Sequence, residues 1–395
     1  MKRQKNAKVS LILSLFTSLF LFFGCSSVPV AAPSEDGVQY AINEPFLFGK
    51  EAAVTIDRSD RGGSLFYLVS RATGKSYPLC YDPLCDHQND ACPAALLSGS
   101  TLYNMACDGT TLYYAYNPPG GESMNETRIL SVDLTDASRT ELLSLPNRIF
   151  GLKYDRGSLY FIENNADTTN RICRLDIGER KASTVLDGAD AGISIGMFCV
   201  RDGELLYTTG EQKGLFRYDP ATGEGEAEEM LTDYVTNFFL AGERLFVSGR
   251  TAESAYVKLI ENGETRLLDI GDAAKDPFCV AGTVLYGMNT EVIPYTVPLT
   301  PELLDRLGND AEKYASRSTR NTELFAYDFE SGEKRSIGVF ERLTVHALEF
   351  WNGTLYLKGT RVIDLGEGNL SEESFSAAVD PETGALTYIR YGDLS

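Results

Sequence analysis

Hydrophobic and polar positions alternate along most of this chain in short runs that end at glycine-containing turns. A leucine followed by an aromatic residue marks six of these runs, and the first three such pairs are spaced by 47 residues. The pairs begin at Leu112, Leu159, Leu206, Leu245, Leu285 and Leu355. An apolar run and a turn precede each pair. Strand, glycine turn and strand in succession are typical of a β-hairpin.

A second series of turns lies downstream of these hairpins. Strands end at Asp133, Asp176, Asp219 and Asn262, each 43 residues after the last. The segment that starts at Asp219 continues Pro-Ala-Thr-Gly-Glu, and Asp380 begins a nearly identical segment. An Asp side chain caps such a turn, and glycine accepts its left-handed position. Each repeat therefore contains two hairpins.

Four strands in a repeat of about 43 residues are typical of a β-propeller blade. We expect an all-β fold with seven blades, six or eight being possible where the ring closes. The first blade shows no clear inner hairpin, which would lie within residues 40–57, where Ala52 to Ile56 has the pattern of a strand. The array resembles the TolB-like, receptor-type propeller superfamily over nearly all of residues 38–395. It lacks the Gly-His and Trp-Asp signatures of WD repeats.

Two stretches exceed the repeat length by 20 residues or more, and loops added to a regular scaffold commonly carry function. The first covers residues 80–100. The second covers residues 292–320 in the sixth blade, where Thr300-Pro301-Glu302 is a good helix start. Apolar residues follow at helical spacing, so we expect a short helical insertion that packs on the ring or covers a pocket or partner site. The apolar positions are Leu303, Leu304, Leu307, Ala311 and Tyr314.

The first stretch contains a cluster of possible metal ligands, Cys80-x4-Cys85-x-His87-x4-Cys92. Three thiolates and one imidazole are a sufficient tetrahedral set for one structural Zn²⁺. The turn at Asp82-Pro83 would bring Cys80 and Cys85 together, whereas Cys85 and His87 converge only on a strand or a suitable turn. A disulfide, Cys80–Cys92 or Cys85–Cys92, and a loop of free thiols are the alternatives. The segment resembles one in uncharacterised surface lipoproteins of Firmicutes, a resemblance that implies no activity.

Four other cysteines lie in strands of separate blades, where we expect buried free thiols. They are Cys107, Cys173, Cys199 and Cys279. Cys107 follows the metal-ligand cluster directly and could replace a weak ligand.

The N-terminus has the pattern of an export signal. Four basic residues precede an apolar run from Val9 to Phe23, which is too short for a comfortable membrane span. The run ends at Gly24-Cys25, and this segment resembles the lipobox of bacterial lipoproteins, although Phe22 replaces the usual leucine. The resemblance implies a signal peptide over 1–24, an acylated Cys25 and a flexible tether over 25–37. Ordinary secretion and a retained signal anchor are the alternatives.

Charge and composition narrow the possible partners. The chain of 395 residues has a formal net charge of −20, and cleavage before Cys25 would lower it to −24. So acidic a protein is a poor partner for nucleic acid or for anionic lipid. With two histidines and no catalytic motif in a supporting context, we assign no catalytic residue. Gly192-Ile193-Ser194-Ile195-Gly196 matches a nucleophile elbow but enters a strand instead of a helix.

We therefore expect an exported protein anchored by lipid to the outer face of the bacterial cytoplasmic membrane. Its propeller would act as a binding or interaction module for a protein or a small ligand. A hydrolase or lyase with carboxylates in the funnel, and a structural scaffold of a cell-envelope complex, are the alternatives.

Overall fold

The structure is a computed structural model, and it is built almost wholly of β-strands. It describes residues 39–40, 47–48, 52–58, 63–70, 75–89, 91–96, 98–120, 125–164, 169–211, 213–221, 228–296, 300–301, 304–305, 308, 316–364 and 370–389. The predicted signal peptide, Cys25 and the predicted tether lie outside the described residues. Within the described part of the chain, no helix is long and apolar enough to cross a membrane.

Consecutive strands pair in antiparallel sheets, and each set of four is called a unit here. The first unit consists of β2 (Leu47–Phe48), β3 (Ala52–Arg58), β4 (Ser64–Ser70) and β5 (Ser76–Pro78) with β6 (Ala95–Leu96). The second consists of β7 (Thr101–Cys107), β8 (Thr111–Asn117), β9 (Thr127–Asp133) and β10 (Arg139–Leu145). The third consists of β11 (Ile149–Asp155), β12 (Ser158–Asn164), β13 (Asn170–Asp176) and β14 (Lys181–Asp187). Helix α1 (Gly188–Ala191) follows. The pairing of β2 with β3 confirms the inner hairpin predicted within residues 40–57.

The fourth to seventh units follow the same order. The fourth consists of β15 (Ile195–Arg201), β16 (Glu204–Thr209), β17 (Lys213–Tyr218) and β18 (Glu228–Ala241), and the fifth of the second half of β18 with β19 (Arg244–Arg250), β20 (Ala255–Glu261) and β21 (Glu264–Leu268). The sixth consists of β22 (Cys279–Ala281), β23 (Val284–Thr296), β24 (Ser316–Asp328) and β25 (Lys334–Phe340). The seventh consists of β26 (Leu343–Trp351), β27 (Thr354–Asp364), β28 (Leu370–Val379) and β29 (Leu386–Tyr388). A 3-10 helix (Gly271–Lys275) joins β21 to β22. Strand β18 closes one unit and opens the next. Strand β1 (Gln39–Tyr40) pairs with its second half.

Apolar side chains fill the spaces between neighbouring units, because each sheet buries both of its faces. In the third unit, Leu159 packs towards the second unit and Tyr160 towards the fourth. The last unit also contacts the first: Trp351 and Tyr356 pack with Ala53 and Val69 in one buried cluster. This arrangement is an all-β propeller, as the repeat predicts.

The Asp-Gly turns form as their sequences predict. The Asp380 carboxylate accepts the backbone N–H groups of Glu382 (2.8 Å) and Thr383 (3.3 Å). Gly384 has φ +70°, and its N–H donates to the carbonyl of Asp380 (2.8 Å). Because these bonds lie within five residues, the sequence of each turn is enough to specify it.

Both ends of the predicted helical insertion are β-strand. Residues 292–296 continue β23 and residues 316–320 begin β24, and the two segments pair with each other as far as Thr296 with Ser316. The sixth unit therefore extends its middle hairpin as a β-ribbon. Between the strands, Pro301 has helical conformation, and the N–H of Leu304 donates to the carbonyl of Thr300 (2.9 Å). Leu303, Leu307, Ala311 and Tyr314 lie outside the described residues.

Candidate metal centre

The four predicted ligands lie in residues 79–94, a long loop at the outer edge of the first unit that is called the excursion here. Strand β5 ends at Pro78, and β6 resumes at Ala95, both paired with β4. The chain between them returns to the same sheet: the N–H of Leu79 donates to the carbonyl of Phe66 (2.9 Å), and the N–H of Phe66 to the carbonyl of Ala94 (2.9 Å). The excursion is thus fixed at its two ends.

A turn at Asp82 brings the first two cysteines together, as predicted. The Asp82 side chain accepts the N–H of Leu84 (2.9 Å), and its carbonyl accepts the N–H of Cys85 (3.2 Å). The N–H of Cys80 donates to the carbonyl of Pro78 (2.7 Å), which turns the chain just before it. These bonds reverse the chain direction between Cys80 and Cys85.

His87 supplies the second turn that the spacing required. Its φ is +56°, a left-handed conformation that is costly for a residue with a Cβ and that concentrates at binding and catalytic sites. Its N–H points to the sulfur of Cys85 (3.4 Å), and its Nδ1 lies 3.3 Å from Sγ of Cys92. The left-handed residue therefore allows Cys85 and His87, only two positions apart, to face one point.

All four donors converge: one ligand atom from each of Cys80, Cys85, His87 and Cys92 lies within 4.8 Å of every other. In a tetrahedral site with Zn–S bonds of about 2.3 Å, sulfur atoms are about 3.8 Å apart. Small rotations of the side chains would therefore complete the geometry. Cys107, considered as a replacement ligand, is not among the four.

Burial sets the protonation of these groups before a metal binds. It raises the pKa of Cys80 and raises that of Cys92 to about 12. It also lowers the pKa of His87, against the opposing effect of Asp86 and Asp82. The imidazole is therefore neutral at neutral pH, the form in which histidine binds metals, whereas the thiols must release protons on binding.

The excursion also packs on the second unit. The Tyr81 hydroxyl donates to the carbonyl of Leu134 (2.6 Å), and Nη1 of Arg139 donates to the carbonyl of Cys92 (3.3 Å). Cys92 is 2% exposed and belongs to the apolar cluster between the first two units. The ligands thus lie at the outer rim of the ring, where two units meet. Sequence reasoning missed Tyr81 and Arg139, because a contact across 47 or 53 residues leaves no local pattern.

The other cysteines and the serine motif lie in the strands and turns of the ring. All seven described cysteines are free thiols; Cys173, Cys199 and Cys279 are buried, as predicted, whereas Cys107 is only partly buried. Ser194 lies between helix α1 and strand β15, which is not the strand-to-helix context of a nucleophile elbow.

Comparisons with known proteins agree on the fold alone. No family model matches the chain, and no curated protein matches its sequence. Among solved structures, the uncharacterized protein lmo1340 from Listeria monocytogenes EGD-e matches with a TM-score of 0.53 and 10% identity, over 93% of this chain and 99% of that one. The β-propeller domain of the Trilobed protease from Pyrococcus furiosus, which has an open velcro topology, matches with a TM-score of 0.52 and 11% identity, over 90% of this chain and 99% of that one.

A third solved structure is a longer chain, of which this protein matches about half. It is the acylaminoacyl peptidase from Pyrococcus horikoshii, with a TM-score of 0.50 and 11% identity, over 89% of this chain and 52% of that one. At such identities the likeness shows a β-propeller and no shared activity.

Proposed function

We propose that this protein is an exported, lipid-anchored β-propeller that acts as a binding or protein-interaction module and holds one structural zinc ion in its first unit. The convergence of Cys80, Cys85, His87 and Cys92 within 4.8 Å carries the metal part of this proposal. Four protein donors complete a tetrahedral zinc site and leave no position for water or substrate. The ion would therefore hold the outer edge of the first unit in place instead of performing chemistry.

The sequence around Cys25 supports the anchor. The basic head, the short apolar core and the Gly24-Cys25 junction occur in the order of a lipoprotein signal. More than one acyl chain on the new N-terminal cysteine would give stable membrane attachment. The net charge of −20 gives no electrostatic attraction to anionic lipid, so attachment would depend on the acyl chains.

The binding role is supported by the fold. A ring of short hairpins exposes many loops, and a rigid β-scaffold with variable loops is a common way to present a recognition surface. The protein would then hold a ligand or a partner at the outer side of the membrane.

The anchor and the metal are tested together on the full-length chain expressed in a bacterial host. Wild-type protein should incorporate a labelled fatty acid and sediment with membranes, and Cys25→Ala should do neither. Cys107→Ala is the matched control and should behave as wild type. Acyl labelling of the Cys25→Ala variant would overturn the anchor, and absence of zinc from the detergent-solubilised wild-type protein would overturn the metal site.

A further inference from the structure

A cavity of about 610 Å³ opens between the third and fourth units. This volume is within the range of small-molecule sites. Its walls are the turn after β11, the outer strands of the third unit, and the turns after β15 and β17. The lining includes Asp155, Tyr160, Arg174, Ser183, Asp202 and Tyr218.

Tyr160, Arg174 and Ser183 form one row across β12, β13 and β14. Tyr160 pairs with Arg174, and Arg174 pairs with Ser183, so the three side chains share one face of the sheet. Tyr160 is 4% exposed and packs in the apolar cluster between the two units. The row thus places a guanidinium and two hydroxyl groups at the edge of that cluster.

The hydroxyl of Tyr160 differs from that of the tyrosine at the same position one unit earlier. Tyr113 donates to the Asp108 carboxylate (2.8 Å) and stacks on Tyr154 with ring centres 5.8 Å apart. In the third unit, Asp155 instead accepts the N–H of Gly203 (2.9 Å). Within the described part of the chain, the Tyr160 hydroxyl has no hydrogen-bond partner. The ring of Tyr160 is buried, and the residue lines the cavity, so its hydroxyl is available to a ligand there.

Arg174 is also less satisfied than its equivalent. In the fourth unit the same position holds Arg217, whose Nε lies 3.6 Å from the Glu204 carboxylate. The position of Glu204 is taken in the third unit by Ser158, whose hydroxyl accepts from Nε of Arg174 (2.9 Å). No carboxylate among the described residues lies within salt-bridge distance of Arg174, so the two Nη groups are available.

The carboxylates that line the cavity are already engaged. The carboxylate of Asp202 lies 3.3 Å from Nη1 of Arg156. Nε of the same arginine lies 3.6 Å from the carboxylate of Asp155. Asp219 accepts the N–H of Ala221 (2.8 Å). The groups left to recognise a ligand are therefore a guanidinium and several hydroxyls. The paired Nη groups can donate two hydrogen bonds to a carboxylate, and the hydroxyls can donate to or accept from hydroxyl groups of a ligand.

We propose that this cavity binds a small hydroxylated carboxylic acid, such as a sugar acid. The Nη groups of Arg174 would bind the carboxylate, and the hydroxyls of Tyr160 and Tyr218 would bind hydroxyl groups of the ligand. The inference rests on the binding role proposed above, because it names a ligand for it. It is independent of the lipid anchor and of the zinc site.

Calorimetric titration of the detergent-solubilised full-length protein tests this. The probes are D-glucuronate as a cyclic acid, D-gluconate as an open-chain acid and D-glucose as the neutral control. At least one acid should bind saturably and D-glucose should not. Arg174→Gln should weaken binding by about tenfold or more and Tyr160→Phe by about threefold, the scale of a charged and a neutral hydrogen bond. Arg217→Gln is the matched control and should stay within about twofold of wild type.

Three results would each overturn the inference: no binding of either acid up to about 10 mM, equal binding of D-glucose, or unchanged affinity in Arg174→Gln. Should Arg174→Gln fail to fold by circular dichroism, Arg174→Lys serves in its place, because it keeps the charge but loses the paired N–H geometry. A protein that is acylated and zinc-loaded but binds neither acid refutes this site and leaves the anchor and the metal intact.

Discussion

Replacing Cys85 with serine should empty the metal site without damaging the fold around it. Cys85 is only partly buried, and the His87 N–H that points to its sulfur (3.4 Å) can donate to a serine hydroxyl instead. The wild-type chain, with four donors in place, should retain about one zinc ion through purification. The variant keeps three donors, and we expect its zinc content to fall to background in elemental analysis.

The stability effect follows from mass action. A metal present at about 1000 times its dissociation constant stabilises the folded state by about 4 kcal/mol. In a domain of about 350 residues, 1 kcal/mol shifts the melting temperature by about 1.4 °C, so Cys85→Ser should melt about 5–6 °C lower. Addition of a chelator should lower the wild-type melting temperature by a similar amount and leave the variant unchanged.

Cys107→Ser is the matched control for this experiment. Cys107 is also partly buried, and its sulfur accepts the N–H of Gly109 (3.2 Å), a bond that a serine hydroxyl can replace. It should keep its zinc and its response to the chelator. Equal zinc in Cys85→Ser and wild type would refute the ligand assignment. A metal-free wild-type protein that shows two fewer titratable thiols without reductant would instead establish the disulfide alternative.

Three further predictions address the packing of the ring and are checked by urea or thermal unfolding. Tyr81→Phe should destabilise the protein by about 1 kcal/mol, because it removes the hydrogen bond to the carbonyl of Leu134; an unchanged stability would show that the excursion does not depend on the second unit. Gly359→Ala should destabilise the protein by about 2 kcal/mol or more, because a Cβ there would lie 2.0 Å from a carbonyl oxygen of the neighbouring strand. Gly178→Ala is the control and should be tolerated, because its Cβ would have no contact below 3.5 Å. Equal effects of the two substitutions would contradict the close approach at Gly359. Burial lowers the pKa of Lys358 below its ordinary value of 10.5, so the unfolded chain binds more protons than the folded one between the two pKa values. Wild type should therefore gain stability relative to Lys358→Met as the pH rises towards 10.5, and a loss of stability over that rise would contradict the assigned burial.

Features that depend on neighbouring residues could be predicted from the sequence. The turn at Asp380 and the turn at Asp82 form as expected, because the capping side chain and the groups it binds lie within a few residues. The repeat of such turns was enough to predict the propeller. The four candidate ligands lie within thirteen residues, so their convergence also needed only local turns.

Features that depend on distant pairing could not be predicted in the same way. Residues 292–296 carry no signal that separates a β-ribbon from the start of an insertion, because their partners are twenty or more residues away. The helix start predicted at Pro301 agrees with the local conformation, but it contains no information about the length of the ribbon. Arg174 was equally hidden, since its lack of a carboxylate is visible only when β13 is set beside the matching strand of the next unit.

The position of the metal centre has a physical explanation in how this ring begins. The two edge strands of the first unit are short: β2 has two residues, and the outer edge is divided between β5 with three and β6 with two. The residues that carry the ligands interrupt that outer edge, so hydrogen bonds to β4 hold it only at its ends. On its other side, this unit meets the last one through side chains, including the bond from Lys358 to the hydroxyl of Thr55 (2.7 Å). A zinc ion at this point would link four positions of the divided edge and hold Cys92 in the cluster shared with the second unit. Metal binding should therefore stabilise the start of the ring most, and amide hydrogen exchange should report the largest loss of protection in β4 and β6 when Cys85→Ser is compared with wild type.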